Sequence, residues 1–148
     1  MRLLIQRVTQ AKVTVDEEIT GEIGNGMLIF LGVGEGDTDE TCKEMAGKAA
    51  RLRIFEDENG KMNLDVNQVS GSVLVVSQFT LFADTRKGNR PNFTQAAKPE
   101  EARRLYELFI AEIATILGED RVASGVFGAV MKVDLMNDGP VTIWVDNC

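Results

Sequence analysis

Apolar and polar residues alternate with period two over several stretches of this chain and recur with helical spacing over two others. Residues 2–15 alternate and predict a pair of strands with a turn near Thr9–Lys12. Asp16–Glu18 predicts a further turn and Ile19–Ile23 a short strand. The Gly24-Asn25-Gly26 step leads into Met27–Val33, an apolar run that fits a strand buried on both faces. Helical spacing takes over at 38–54, where Cys42, Met45, Ala46, Ala49 and Leu52 form a stripe, and Asp37 with Glu40 fits a capping box. Asp57–Gly60 is a turn, and Lys61–Val69 reads as irregular or weakly extended. A second helix starts at Pro99, a residue suited to the first helical position, and stops at Gly118. Its apolar face is Ala102, Leu105, Tyr106, Phe109, Ile113 and Ile116. Three strand-like stretches, Arg121–Val126, Ala129–Met136 and Val141–Val145, close the chain. The expected fold is one α/β domain over residues 1–148, with a mixed, largely antiparallel sheet or partial barrel and two helices.

Two interruptions of this pattern carry candidate chemistry. Residues 72–82 begin as an apolar, β-branched run, and then Ser77, Gln78 and Thr80 place three hydrogen-bonding side chains among Phe79, Leu81 and Phe82. Buried hydroxyls and amides need partners, because each unpaired group costs about 1–3 kcal/mol. These residues are either satisfied at a strand end or delivered to a pocket by a rigid strand. In a continuous strand Gln78 and Thr80 share a face and Ser77 lies opposite, so lining one pocket with all three needs a bulge or a strand end. The second interruption is Asn137-Asp138-Gly139-Pro140, between alternating runs on both sides. It reads as a hairpin connection or as a step that presents the Gly139 and Pro140 carbonyls at a site; X-Pro is also the bond at which cis costs least.

Composition narrows the chemistry. The chain of 148 residues contains no histidine. That excludes Ser-His-Asp and Cys-His catalysis and leaves no Cys/His cluster for zinc. Hydrolysis would then rely on a hydroxyl without imidazole, a carboxylate, backbone groups or the substrate itself. Only Cys42 and Cys148 are present, both expected to be inert thiols rather than a disulfide. No apolar run is long enough to span a membrane and no signal pattern opens the chain, so a cytoplasmic protein is expected. The net charge of −7 argues against a grip on long nucleic acid, and no DNA partner is expected. Locally, however, Arg86, Lys87, Arg90, Lys98, Arg103 and Arg104 outnumber Asp84, Glu100 and Glu101, enough for a small phosphate-binding patch. Gly34-Glu35-Gly36 lacks the rest of a phosphate-loop signature.

Ser77-Gln78-Phe79-Thr80-Leu81 together with Asn137-Asp138-Gly139-Pro140-Val141-Thr142 resembles the D-aminoacyl-tRNA deacylase family. The opening Met1–Val8, the Gly88–Phe93 loop and the Gly125-Val126-Phe127-Gly128 turn are similar to the family too, although Asn89 and Asn92 depart from its more typical basic and small residues. The resemblance implies hydrolysis of the ester joining a D-amino acid, or glycine, to the 3′ end of tRNA, without cofactor or metal. It implies a homodimer in which each Gly139-Pro140 step, with a cis bond, enters the pocket of the other subunit and holds the substrate amino group through its carbonyls. L side chains would be rejected by clash. Ser77, Gln78, Phe79 and Thr80 are the implied catalytic segment. Phe127 would stack on the terminal adenine, Arg7 would hold the Gly-Pro step in register, and Met131 would touch substrate. Two routes stay open: a Thr80 nucleophile, or water assisted by the ribose 2′-hydroxyl with the Phe79 and Thr80 amides on the oxyanion.

Overall fold

A computed structural model describes residues 1–147; the expectation for Cys148 falls outside them. The chain opens with one long strand, β1 (Arg2–Val15), followed by β2 (Glu18–Ile23) and β3 (Gly26–Gly32). Helix α1 (Asp39–Arg51) leads to a small ribbon of β4 (Phe55–Glu56) and β5 (Met62–Leu64), and then to β6 (Ser72–Ser77). A single 3-10 turn at Phe79–Phe82 follows β6. Helix α2 (Pro99–Leu117), β7 (Val122–Ser124) and β8 (Lys132–Asp146) complete the fold.

The main sheet runs β2-β1-β3-β6-β7, and β8 lies along the free edge of β1. Pairings of β1 with β2, β3 and β8 are antiparallel, whereas β3–β6 and β6–β7 are parallel. The sheet curls until its two ends approach. A Cβ added to Gly21 of β2 would lie 2.4 Å from the Ser124 carbonyl oxygen of β7, so only glycine fits where the barrel nearly closes. Alternation then sorts side chains into two cores. Leu3, Ile5, Met27, Ile29, Val73 and Val75 pack toward Cys42, Ala46, Leu105 and Phe109 of the helices. Val8, Val13, Leu28, Leu74 and Val76 fill the inside of the curl. Because β3 and β6 serve both cores, their sequences are continuously apolar.

Several expectations are corrected. No turn breaks β1 at Thr9–Lys12; the strand continues, and its pairing with β8 shifts register between Gln6 and Gln10. The helix cap is Thr38, whose side chain accepts from the Thr41 amide. Asp37 instead accepts from the Gly34 amide and from the α-ammonium of Met1, each at 2.7 Å. On α2 it is Leu117 that is buried, while Ile116 is exposed, because the apolar stripe drifts around the helix. The strand expected over 72–82 ends at Ser77. The two last strands expected apart are one strand, β8, and the Gly-Pro step is no hairpin.

Candidate active site

A cavity of about 730 Å³ opens where the parallel strands β3 and β6 end. Its wall includes Leu31 and Val33 from the β3 end, Val76 and Ser77 from β6, and Gln78 and Phe79 from the turn beyond. Phe127 to Ala129 with Met131 and Val133 also line it, and the rest comes from Phe93, Thr94, Ala96, Ala97 and Lys98 with Pro99, Ala102 and Tyr106 of α2. Of the residues singled out in the sequence, Ser77, Gln78, Phe79, Phe127 and Met131 meet here. Thr80, Arg7, Gly139 and Pro140 do not line this cavity.

The end of β6 explains how Ser77 and Gln78 reach one pocket. Ser77 is the last paired residue, opposite Leu31, and Gln78 (φ −147°, ψ 80°) redirects the chain into the 3-10 turn. The strict alternation that would separate them lapses at that point. The first hydrogen bond of the turn runs from the Leu81 amide to the Gln78 carbonyl at 3.3 Å. The Phe79 and Thr80 amides precede it and donate to nothing among the described residues, as the first amides of any helical turn do. Thr80 Oγ1 accepts a hydrogen bond from the Gln78 side-chain amide. That donor withdraws density from the hydroxyl oxygen, and the chain has no histidine to take its proton.

Aromatic rings frame the opening. Phe79 is 57% exposed and meets Phe93 edge-on at 5.1 Å between centroids. Phe127, half-buried, tilts by 45° against Tyr106 at 5.7 Å. Tyr106, the one tyrosine, is buried, and its hydroxyl donates toward the Val75 carbonyl at 3.1 Å and lies 3.4 Å from that of Gly125. Burial pushes its hydroxyl up to about 12, so it stays a neutral donor that ties two walls of the cavity together. The loop carrying Phe93 is closed at its base by backbone bonds between Asp84 and Asn92 at 2.7 and 2.9 Å. Within that loop the Arg86 guanidinium grips Asp84 at 2.9 and 2.6 Å and holds its carboxyl down at about 2. Sequence reading named Phe93 only as part of the family-like Gly88–Phe93 loop and missed Thr94 and Tyr106; a lone tyrosine on an apolar helix face, with a polar tip needing a partner, is the signal that points to the last.

The Gly-Pro step occupies a different region. Gln6 pairs with Thr142 and Val8 with Asn137, so a single β1 residue, Arg7, faces the four residues Asp138–Val141, which bulge from the sheet edge. Asn137 closes the base of the bulge by donating to the Arg7 carbonyl at 3.1 Å and the Val141 carbonyl at 3.0 Å. Arg7 is only 6% exposed, because it continues the inward face of Leu3 and Ile5. Its Nη1 donates to the Ile54 carbonyl at 2.8 Å, and its Nε lies 3.3 Å from Asp138 Oδ2 without hydrogen-bond geometry. Gly139 (φ +116°) and Pro140 are exposed at the tip, joined by a cis bond. A Cβ on Gly139 would stand 2.7 Å from Arg7 Nη2. Among the described residues no three His, Cys, Asp or Glu side chains converge as a metal site. No helix among them is long and apolar enough to cross a membrane.

The family model of D-Tyr-tRNA(Tyr) deacylase matches residues 4–146, which spans both the cavity wall and the bulge. The chain belongs to this family. A D-aminoacyl-tRNA deacylase of Akkermansia muciniphila is 59% identical over 147 residues, covering 99% of this chain and 97% of the relative. One from Bacillus pumilus is 56% identical over the same length, covering 99% of each. A solved structure of a c-Myc DNA unwinding element binding protein superposes with a TM-score of 0.95 at 39% identity, covering 100% of this chain and 99% of that one. Both the site and the bulge of this deacylase-family chain therefore lie inside a region shared end to end with relatives.

Proposed function

We propose that this protein hydrolyses the ester bond of D-aminoacyl-tRNA, and of glycyl-tRNA, releasing tRNA and the free amino acid. The observation that carries the reading is the start of the 3-10 turn, where the unengaged amide of Phe79 stands at the cavity wall beside Ser77 and Gln78 and the unengaged amide of Thr80 follows it in the chain. Such a pair suits the oxyanion of a tetrahedral intermediate, a role that donors fill with several kcal/mol of stabilisation. Water attacks the ester carbonyl with help from the ribose 2′-hydroxyl, and Thr80 positions rather than attacks, since its oxygen already accepts from Gln78. Phe127 offers its face to the terminal adenine, and Met131 closes the pocket beside it.

The Gly139-Pro140 step stands outside the cavity of its own chain, on an exposed edge. The reading assigns it to the cavity of a second copy, in a homodimer, where its carbonyls take the substrate ammonium. Arg7 fixes the bulge in the orientation that insertion requires. With the ammonium and carbonyl both pinned, an L side chain meets backbone and a D side chain points outward. Glycine has no β-carbon to clash, so it passes.

The test is deacylation of D-tyrosyl-, L-tyrosyl- and glycyl-tRNA side by side at limiting enzyme. The expected result is rapid loss of the D and glycyl esters with the L ester intact; equal loss of all three would overturn the chiral filter. Thr80→Ala is expected to retain substantial turnover, whereas complete loss of kcat with binding intact would install Thr80 as a nucleophile. A DNA-binding reading arises from the name of the solved relative at 39% identity. The net charge of −7 weighs against it, and filter binding to duplex DNA separates the two.

A further inference from the structure

Among the described residues Lys98 is the only charged one in the cavity lining. The other cations near it are mostly spoken for. Arg86 pairs with Asp84, Arg103 with Glu107, and Arg104 with Asp39 and Glu101. Lys98 is exposed and forms no ion pair or hydrogen bond through its side chain among the described residues. Its position is unusual for a lysine. It occupies the N-cap position of α2 without a capping hydrogen bond, where oxygen-bearing side chains are preferred and where the helix already presents positive charge. A cation placed there without an internal carboxylate gains nothing from its own chain, although it borders a cavity whose lining is otherwise neutral.

We propose that Lys98 contacts the phosphate that links the terminal nucleotide of the tRNA to the one before it, and so discriminates a polynucleotide ester from a small one. This rests on the tRNA reading above, and it names a specificity residue that acts in binding, not in the chemical step. The adenosine occupying the cavity has no charge for an ammonium to meet; its 5′ phosphate does, and it leaves the cavity at the rim. A phosphodiester is also the one anion that distinguishes aminoacyl-tRNA from an aminoacyl ester of adenosine. A lysine serves this purpose as a mobile point charge, without the fixed geometry that arginine imposes.

The experiment compares D-tyrosyl-tRNA with 3′-O-D-tyrosyl-adenosine, which lacks the phosphate, as substrates for wild type, Lys98→Ala and Lys98→Arg. The ratio of kcat/KM for the tRNA ester to that for the adenosine ester is expected to fall roughly fivefold in Lys98→Ala, as loss of one screened charge contact predicts. The loss should appear in KM, and Lys98→Arg should restore most of it. The slope of log kcat/KM against log salt for the tRNA ester should shrink by about 0.7 in Lys98→Ala, the value for one phosphate on a single strand. An unchanged ratio and slope would overturn the phosphate contact while leaving the deacylase reading intact. Wild-type protein inert on both esters would overturn the deacylase reading itself, and this proposal with it.

Discussion

The two regions that carry the candidate chemistry are held in opposite ways. The Ser77–Phe79 wall grows from β6, an interior strand whose Val73, Leu74, Val75 and Val76 are all buried between two cores. The Gly139-Pro140 bulge grows from β8, an edge strand in which only Val145 is fully buried. Packing positions the first, and a few polar contacts position the second: Asn137 at its base and Arg7 beneath it. Displacing the wall means opening a close-packed interior, where single methylenes matter. Displacing the bulge requires only the loss of a hydrogen bond or a shift of one guanidinium. The surface proposed to carry the chemistry therefore sits on the rigid part, and the group proposed to select the substrate sits on a part that is accurate only while its arginine is in place.

Substitutions that act on one region and spare the other can break this contrast. The largest effect is expected for Leu74→Ala under the wall. Leu74 has no exposed surface, and truncation should lower the unfolding free energy by about 3 kcal/mol in urea denaturation. A loss below about 1 kcal/mol would mean that packing is not what fixes the wall. Next comes Gly139→Ala at the bulge, where the new methyl meets Arg7 Nη2 and the positive φ opposes any side chain. Stability should fall less than for Leu74→Ala, by about 1–2 kcal/mol. Activity on D-tyrosyl-tRNA should fall about a hundredfold, because a displacement of about 1 Å is enough to spoil alignment. Full activity in that variant would detach the bulge from the chemistry.

The same contrast decides what was legible in the sequence. The interior strands announce themselves: Met27–Val33 and the first half of 72–82 are apolar runs that can only be buried, and Pro99 and Gly118 mark α2 at both ends. Edges and ends are less legible. Where β6 ends depends on the chain turning away from β3 after the Gln78 amide has donated to the Leu31 carbonyl, a tertiary event to which the Phe79-Thr80-Leu81-Phe82 composition is indifferent. Asn137-Asp138-Gly139-Pro140 has turn composition, yet β1 is long enough to pair with residues on both sides of it, so the step becomes a bulge within one strand. Asp37 has the right spacing for a cap but is claimed by the α-ammonium of Met1, 36 residues away. Of the residues singled out for the site, Ser77, Gln78, Phe79, Phe127 and Met131 line one cavity, while Thr80, Arg7, Gly139 and Pro140 lie outside it. Arg7 was visible as a charge on an alternating strand, but the partners that its buried guanidinium meets, the Ile54 carbonyl and Asp138, are distant in sequence.

The smallest effect sharpens the contrast from inside the wall. The Tyr106 hydroxyl is a polar contact within the packed region, bridging the Val75 carbonyl of β6 and the Gly125 carbonyl beside Phe127. If packing dominates there, removing it should cost little: Tyr106→Phe is expected to lower stability near neutral pH by only about 1 kcal/mol, the net worth of one hydrogen bond. Its signature lies in the pH dependence. Burial raises this group from its ordinary value of 10.0 to about 12 in the folded protein, so the native state holds the proton more tightly than the unfolded chain. The contribution is complete below the unfolded pKa and is lost as pH rises through the folded one. Wild-type stability should therefore fall across that window, between pH 10.0 and about 12, and the fall should be shallower in Tyr106→Phe. Cys42, pushed up to about 12 chiefly by its own burial, adds a parallel decline in both proteins, and the difference between the two curves isolates Tyr106. Identical curves would mean that the hydroxyl reaches solvent in the folded state, and the wall would then be looser than the burial of β6 requires.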